Sequence, residues 1–250
     1  MSTSRMAKVF RGNGGTLRCL TATALAVLGL FAISSQIPTL AAEPAVVIPA
    51  PAVDAASPGD GLKSVVLAGG CFWGVQAVFQ HVEGVHQAVS GYAGGVGPNP
   101  TYEQVSTGQT GYAESVQVTF DPSKISYGKI LQIFFSVAHN PTELNRQGPD
   151  VGTQYRSAIF FSEDSEQRVA KSYISQLDRT GAFGRPIVTR MEPLTKFYPA
   201  EAYHQNYALN HPNNPYIVYN DLPKVDNLKR LFSDIYREQP VTVAAMHRKL

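Results

Sequence analysis

Between residues 62 and 238, the spacing of apolar and polar positions predicts strands and helices in alternation. Short apolar or strictly alternating segments predict strands at Lys63–Ala68, Ser115–Phe120, Ser157–Phe161 and Pro186–Glu192. Apolar residues that recur every three to four positions predict a helix from Cys71 and further helices at Ser126–Ala138 and Glu163–Asp178. Helical patches are expected near Pro199–Asn210 and Val225–Arg237. Because no long apolar runs typical of a parallel sheet occur, we expect an α+β fold with a sheet and helices in layers.

Residues 1–42 differ from the rest of the chain and have the features of an export signal. They contain four basic residues and no acidic ones, followed by the apolar run Leu20–Ile33 and the small residues Ala41 and Ala42, the candidate cleavage points. The apolar run is shorter than the roughly 20 residues of a membrane-spanning helix, and an uncleaved anchor is the alternative. We therefore expect an exported protein, periplasmic in a Gram-negative bacterium, which meets a membrane only through an uncleaved signal.

The rest of the chain divides into three parts by composition. Residues 43–61 are rich in Ala, Pro, Val and Gly without a period, which predicts a flexible linker. Residues 62–238 form the predicted globular domain, and residues 239–250 form the predicted loose tail.

The overall composition excludes several classes of protein. With 44% hydrophobic and 16% charged residues, the chain of 250 residues is neither disordered, collagen-like nor a coiled coil. Its net charge of +2 argues against nucleic-acid binding. Cleavage after residue 42 removes four of the 21 basic residues and none of the 19 acidic ones, so the net charge becomes −2. It also removes Cys19, which leaves Cys71 as a lone thiol without a partner for an internal disulfide.

Cys71 lies in the segment Gly69–Gly74, GGCFWG, where a strand is expected to end and a helix to begin. Backbone N–H groups at a helix N-terminus favour a thiolate and can lower a thiol pKa below its usual value of about 8.5. Phe72 and Trp73, the single tryptophan of the chain, can form an apolar wall beside the sulfur. The alternative is an unreactive cysteine that only packs in the core.

Other candidate residues precede predicted strands or lie in a Gly-rich segment. Gly91–Tyr102 (GYAGGVGPNPTY) is expected to be a long surface loop, a kind of segment that often carries function. Glu114 precedes one strand, and Asp150 and Tyr155 precede another, although acids and phenols at such positions are often simply solvated. The six histidines, His204 included, show no metal-ligand spacing, so we expect no metal and treat them as structural or exposed.

Five separated motifs occur in an order and spacing typical of one family: GGCFWG, GYAGG, NPTYEQV, GYAESV and DVGTQYRSAIF. In these motifs the chain resembles the A-type peptide methionine sulfoxide reductases. The resemblance extends from about Val65 to Asn210. The resemblance implies a two-layer plait, a ferredoxin-like sheet with packed helices, whose catalytic cysteine starts the first helix. It also implies a peptide-methionine (S)-S-oxide reductase that repairs oxidative damage without a cofactor, with Cys71 as the nucleophile.

The same resemblance implies roles for the other candidates. Glu114 matches the acid that protonates the sulfoxide oxygen, a step that the weakly electrophilic sulfoxide requires. Tyr102 and Tyr155 match the phenols that hydrogen-bond this oxygen, and Asp150 matches a polar residue that orients the site. The hydrophobic wall that receives the S-methyl group of the substrate corresponds to Phe72 and Trp73.

The chain departs from many family members in how the oxidised cysteine is reduced. Attack on the sulfoxide leaves methionine and a sulfenic acid on Cys71, which many relatives resolve with a second, C-terminal cysteine. Here no cysteine follows Cys71. We therefore expect an external thiol, such as a thioredoxin-like protein, to act as co-substrate beside oxidised proteins or free methionine sulfoxide.

Two other functions are compatible with the residues alone. A papain-like hydrolase would pair Cys71 with His204, although the local signature of that family is absent. An exported peptide-binding module would use the aromatic and Gly-rich segments without chemistry, and Cys71→Ser would then leave its function intact.

Overall fold

The computed structural model describes residues 44–54 and 61–244. The predicted export signal, residues 1–42, lies outside these ranges. The strands are β1 (Lys63–Gly69), β2 (Val85–Ala93), β3 (Ala113–Phe120), β4 (Arg146–Gln147), β5 (Asp150–Val151), β6 (Ser157–Phe161), β7 (Arg190–Pro193) and β8 (Phe197–Pro199). The α-helices are α1 (Phe72–Gln80), α2 (Tyr102–Ser106), α3 (Tyr127–Ile133), α4 (Asp164–Thr180), α5 (Tyr207–Asn210) and α6 (Leu222–Leu231). Short 3₁₀ turns cover Thr153–Tyr155 and Ala202–His204, and π-helical turns cover Phe134–Ala138 and Ile217–Asp221.

Six strands form one mixed sheet in the order β7-β6-β1-β3-β2-β8. Adjacent strands in this sheet are antiparallel except for β6 and β7, which run parallel. In the central strand β1, Val65 and Leu67 join the main core with the helices, whereas Val66 and Ala68 join a smaller cluster that includes Phe160. Both faces of β1 are therefore buried, which explains its continuous apolar sequence. The mixed sheet packed with helices confirms the predicted α+β fold.

The turn between β1 and α1 places Cys71 at the N-terminal end of the helix. Gly70 has φ +87°, a left-handed conformation that glycine adopts without strain. A Cβ atom at Gly69 would lie 3.0 Å from the rings of His139 and Phe134, so this glycine allows the strand end to pack closely. Cys71 occupies the N-cap of α1, as the sequence predicts.

Several other sequence predictions are confirmed, with adjusted limits. The Ser126 hydroxyl accepts the Lys129 N–H at 3.1 Å and caps α3, which continues into the buried π-helical turn. The strand expected at Pro186–Glu192 is Arg190–Pro193, and the last helix begins before Val225 and ends before Arg237. Part of the loop expected at Gly91–Tyr102 is instead the end of β2, and Tyr102 begins α2.

The flexible-linker prediction is wrong for residues 44–54, which pack along α3 and α4. Ile48 is buried, and its carbonyl accepts the Gln132 side-chain amide at 3.0 Å. Gln176 on α4 bonds the backbone twice, to the Ala50 carbonyl and the Ala52 N–H at 2.9 and 2.8 Å. These side chains satisfy an extended backbone, so the segment is ordered without secondary structure of its own.

The loose-tail prediction is likewise wrong for residues 239–244. The Val241 N–H donates to the Gln80 carbonyl at 2.9 Å, and the buried Val243 donates its N–H to Asn206 Oδ1 at 3.0 Å. The tail therefore packs on α1 and the segment before α5.

Candidate active site

A cavity of about 190 Å³ opens at the N-terminal end of α1. All seven site residues predicted from the sequence line it, together with one that the sequence did not indicate. The lining residues are Cys71, Phe72, Trp73, Tyr102, Glu114, Asp150, Tyr155 and Tyr216. Elements spread over most of the domain thus converge on the thiol.

The Cys71 thiol has a raised pKa, contrary to the expectation from its position on the helix. Burial raises its pKa well above the ordinary value, and the negative charges of Glu114 and Asp221 add to this effect. The Trp73 N–H at the start of α1 lowers the pKa but does not outweigh burial. The helix N-terminus therefore offsets only part of the cost of forming a thiolate in this pocket.

Glu114 lies on β3 with its carboxyl group directed to the start of α1. Its Oε2 accepts the Phe72 backbone N–H at 3.0 Å, and the side chain is buried. Burial raises the pKa of Glu114 to about 8, although the hydrogen bond from Phe72 favours the anion. At neutral pH this carboxyl group carries a proton, as a general acid requires.

Phe72 and Trp73 form the apolar side of the cavity and are held by aromatic neighbours. The Trp73 indole stacks on Tyr207 with ring centroids 3.8 Å apart and an interplanar angle of 8°. Its Nε1–H donates to His204 Nδ1 at 3.2 Å, and His204 also packs against Phe72 with centroids 5.1 Å apart. The indole orientation is therefore fixed from two sides.

Tyr102, Asp150 and Tyr155 supply the polar side of the cavity. Thr101 caps α2 with a capping box, and the Tyr102 N–H donates to Glu201 at 2.9 Å, which fixes the start of this short helix. Burial raises the pKa of Tyr102 and of Tyr155, so both phenols remain hydrogen-bond donors. Asp150 begins the short strand β5, where the turn containing Gly148 brings it back to the cavity.

Tyr216 completes the cavity from the segment before α6. Its hydroxyl donates to Asp150 Oδ2, and its ring meets Trp73 edge-on with centroids 5.9 Å apart. Tyr216 thus connects the polar and the apolar sides. Its position after Asn214 and Pro215 is a turn signal, but no sequence pattern indicates that this turn reaches α1.

His204 is buried beside the cavity and holds Trp73, a structural role of the kind expected for the histidines, and this contact does not fit the papain-like pairing with Cys71. His204 Nδ1 accepts the Trp73 indole N–H, so this nitrogen is not available to accept the Cys71 proton. Within residues 44–54 and 61–244, no group of three or more His, Cys, Asp or Glu residues could hold a metal ion. None of the helices in these ranges is long and apolar enough to cross a membrane.

A buried thiol, a carboxyl group with a raised pKa and aromatic side chains line one small cavity, an arrangement typical of thiol-dependent enzymes. The family model for peptide methionine sulfoxide reductases matches residues 63–235. A protein named peptide methionine sulfoxide reductase MsrA 2 from Mesorhizobium japonicum is 59% identical over 188 residues, which are 75% of this chain and 95% of the relative. A relative from Deinococcus radiodurans, named MsrA, is 50% identical over 72% of this chain and 87% of its own.

A solved structure agrees with these sequence relatives. Methionine sulfoxide reductase A of Corynebacterium diphtheriae superposes with a TM-score of 0.54 and 32% identity, covering 69% of this chain and 86% of that one. The chain belongs to the peptide methionine sulfoxide reductase family, and its reaction is the reduction of peptide-methionine (S)-S-oxide to methionine.

Proposed function

We propose that Cys71 is the nucleophile of this reductase and that Glu114 is its acid. The observation that carries the proposal is that a buried thiol and a carboxyl group with a pKa of about 8 line one cavity. Glu114 also bonds the N–H of the residue that follows Cys71, which holds it beside the thiol. A sulfoxide oxygen therefore has a proton donor near the point where the sulfur is attacked.

In the first step, the oxygen atom moves from the substrate sulfur to Cys71. Glu114 protonates the sulfoxide oxygen while the Cys71 sulfur attacks, and the proton of the thiol returns to Glu114. The sulfur–oxygen bond of the substrate breaks and a new one forms on Cys71. The substrate sulfur is reduced by two electrons to methionine, and Cys71 is oxidised by two electrons to the sulfenic acid.

The two sides of the cavity orient the substrate. The S-methyl group packs against Phe72 and Trp73, which offer aromatic surface. The oxygen lies toward Tyr102 and Tyr155, whose phenols donate hydrogen bonds to it, while Asp150 is held by Tyr216 and orders the polar side. A group with a methyl and a strongly polar oxygen on one sulfur fits this division.

An external thiol completes the cycle. Cys71 is the free cysteine of the described residues, and no cysteine follows it in the sequence. Two external thiols then reduce the sulfenic acid, giving the Cys71 thiol, water and one disulfide, which suits a dithiol protein of the thioredoxin type. Free methionine sulfoxide and oxidised proteins are the substrates of this cycle.

The site of repair is outside the cytoplasm, as the composition of residues 1–42 supports. Expression of the full chain with cell fractionation and N-terminal sequencing tests this localisation. A mature chain that begins at Glu43 or Ala42 in the periplasm supports export, a membrane-bound chain with an intact N-terminus supports an anchor, and an intact cytoplasmic chain refutes both.

The enzymatic proposal is tested with methionine sulfoxide and dithiothreitol as the reductant. Wild type is expected to form methionine, Cys71→Ser to be inactive, and Cys19→Ser, the matched control at the other cysteine, to keep full activity. Methionine formation by Cys71→Ser would refute the nucleophile. A wild type that binds peptides without forming methionine would instead favour the binding module.

A further inference from the structure

A buried carboxylate that the proposed mechanism does not use lies beside the active-site helix. Asp221 ends the π-helical turn before α6 and is fully buried. Its Oδ1 pairs with Lys224 Nζ at 3.3 Å, and the lysine side chain is only 11% exposed. Within the described residues, Asp221 Oδ2 has no hydrogen-bond partner. A half-satisfied buried pair costs folding free energy, which points to a role other than stability.

The pair packs against the backbone of α1 at Gly74, three residues after Cys71. A Cβ atom at this position would lie 2.8 Å from Asp221 Cγ and 2.9 Å from Lys224 Nζ, closer than such atoms approach. Glycine at position 74 therefore lets two opposite charges lie directly against the first turn of the helix that carries the thiol.

The charges of the pair act on the active-site groups in opposite directions. Burial is the main reason for the raised pKa values of Cys71 and Glu114, and the negative charge of Asp221 adds to both. Burial raises the pKa of Asp221 itself to about 6, and Lys224 opposes this rise. Lys224 also acts to lower the pKa of Asp150, which burial raises. Lys224 thus compensates negative charge around a pocket that already contains two other carboxyl groups.

We propose that Asp221 and Lys224 are a positioning pair for the reductase reaction, in which Lys224 neutralises Asp221 beside the first turn of α1 and so allows Cys71 to ionise for attack. The proposal rests on the role proposed for Cys71. Loss of Lys224 leaves an uncompensated negative charge that opposes the thiolate. Loss of the Asp221 charge leaves a positive charge that favours the thiolate.

Other titratable groups around Cys71 keep their identity in variants of this pair, although the charges of the pair also act on the pKa values of Glu114, Asp150 and Tyr216. They are Glu114 on β3, Asp150 on β5, and the phenols of Tyr102, Tyr155 and Tyr216. A difference between variants of the pair therefore reports the charge of the pair, both directly and through its effect on these neighbours.

The test is the pH dependence of Cys71 alkylation by iodoacetamide in the full chain, followed by peptide mass spectrometry so that Cys19 is not counted. Lys224→Met is expected to raise the pH midpoint by about one unit, and Asp221→Asn to lower it. The double variant is expected to return near wild type. Lys229→Met is the matched control, because Lys229 lies on the same helix in an exposed ion pair with Glu238.

Opposite shifts that cancel in the double variant support the proposal, whereas shifts of the same sign, or none, overturn it. Circular dichroism checks the fold of each variant, and Lys224→Gln replaces Lys224→Met if the latter does not fold. If neither folds, Asp221→Asn decides, since a midpoint that rises or stays unchanged overturns the proposal. Alkylation requires no sulfoxide, so a wild type without reductase activity refutes the proposed function separately.

Discussion

Replacing Glu114 by Gln is expected to lower activity and, above about pH 5, to raise stability. Gln keeps an acceptor for the Phe72 N–H, 3.0 Å from Oε2 in the structure, but it has no proton to donate. Loss of a positioned general acid typically costs about 10²–10⁴-fold in rate, so we expect turnover to fall at least 100-fold. In wild type, activity is expected to decline as the pH rises above about 8, because Glu114 then loses its proton.

The stability effect follows from the difference between the folded and unfolded pKa of Glu114. The pKa is raised by burial to about 8 in the folded chain, from 4.5 for an ordinary glutamate. Between these values the folded state binds more protons than the unfolded state, so wild-type stability falls as the pH rises. Each pH unit corresponds to about 1.4 kcal/mol, or about 3 kcal/mol between pH 5 and pH 7.5, and Gln removes this loss.

Urea unfolding at several pH values, beside steady-state turnover, measures both effects. Glu103→Gln is the matched control, since Glu103 is exposed on α2 next to Tyr102 and is expected to change neither quantity. A Glu114→Gln enzyme that keeps most of its turnover would show that Glu114 is not the general acid. Parallel stability curves for wild type and Glu114→Gln between pH 5 and pH 7.5 would refute the assignment of a buried, protonated carboxyl group.

Two further substitutions test the cavity wall and the N-terminal segment. Tyr216→Phe removes the hydroxyl that donates to Asp150. We expect KM to rise about fivefold, the equivalent of roughly 1 kcal/mol, with kcat little changed. An unchanged KM in steady-state kinetics would contradict this role of Tyr216. Ile48→Ala removes a buried side chain that packs against the core, and we expect a loss of about 2–4 kcal/mol in chemical denaturation without loss of kcat. Unchanged stability would mean that residues 44–54 are not anchored as the structure shows.

The sequence is sufficient to predict the local elements around the thiol. The glycine pair before Cys71 and the helical spacing of Phe72, Val75 and Val78 place the cysteine at a helix start. The alternating pattern after Glu114 likewise predicts the strand that holds this acid. Both signals are local, because periodicity and turn residues act over a few positions.

The contributions that depend on long-range contacts are not predictable in this way. Tyr216 reaches the cavity and Asp221 reaches α1 from a segment more than 140 residues after Cys71, and periodicity does not predict which faces meet. The Ala/Pro-rich composition around Ile48 has no apolar period, yet side chains such as Gln132 and Gln176 satisfy its backbone. Tertiary hydrogen bonds, rather than local propensity, order that segment.

The most direct test of the mechanism is a single turnover without reductant. Wild type is mixed with an excess of methionine sulfoxide. The methionine formed is quantified, and the mass of the Cys71 peptide is measured by mass spectrometry. We expect about one methionine per enzyme and a gain of one oxygen on Cys71, which added thiol removes. Methionine formed without oxygen on Cys71, or formed equally by Cys71→Ser, would contradict the proposed role of Cys71 as the nucleophile.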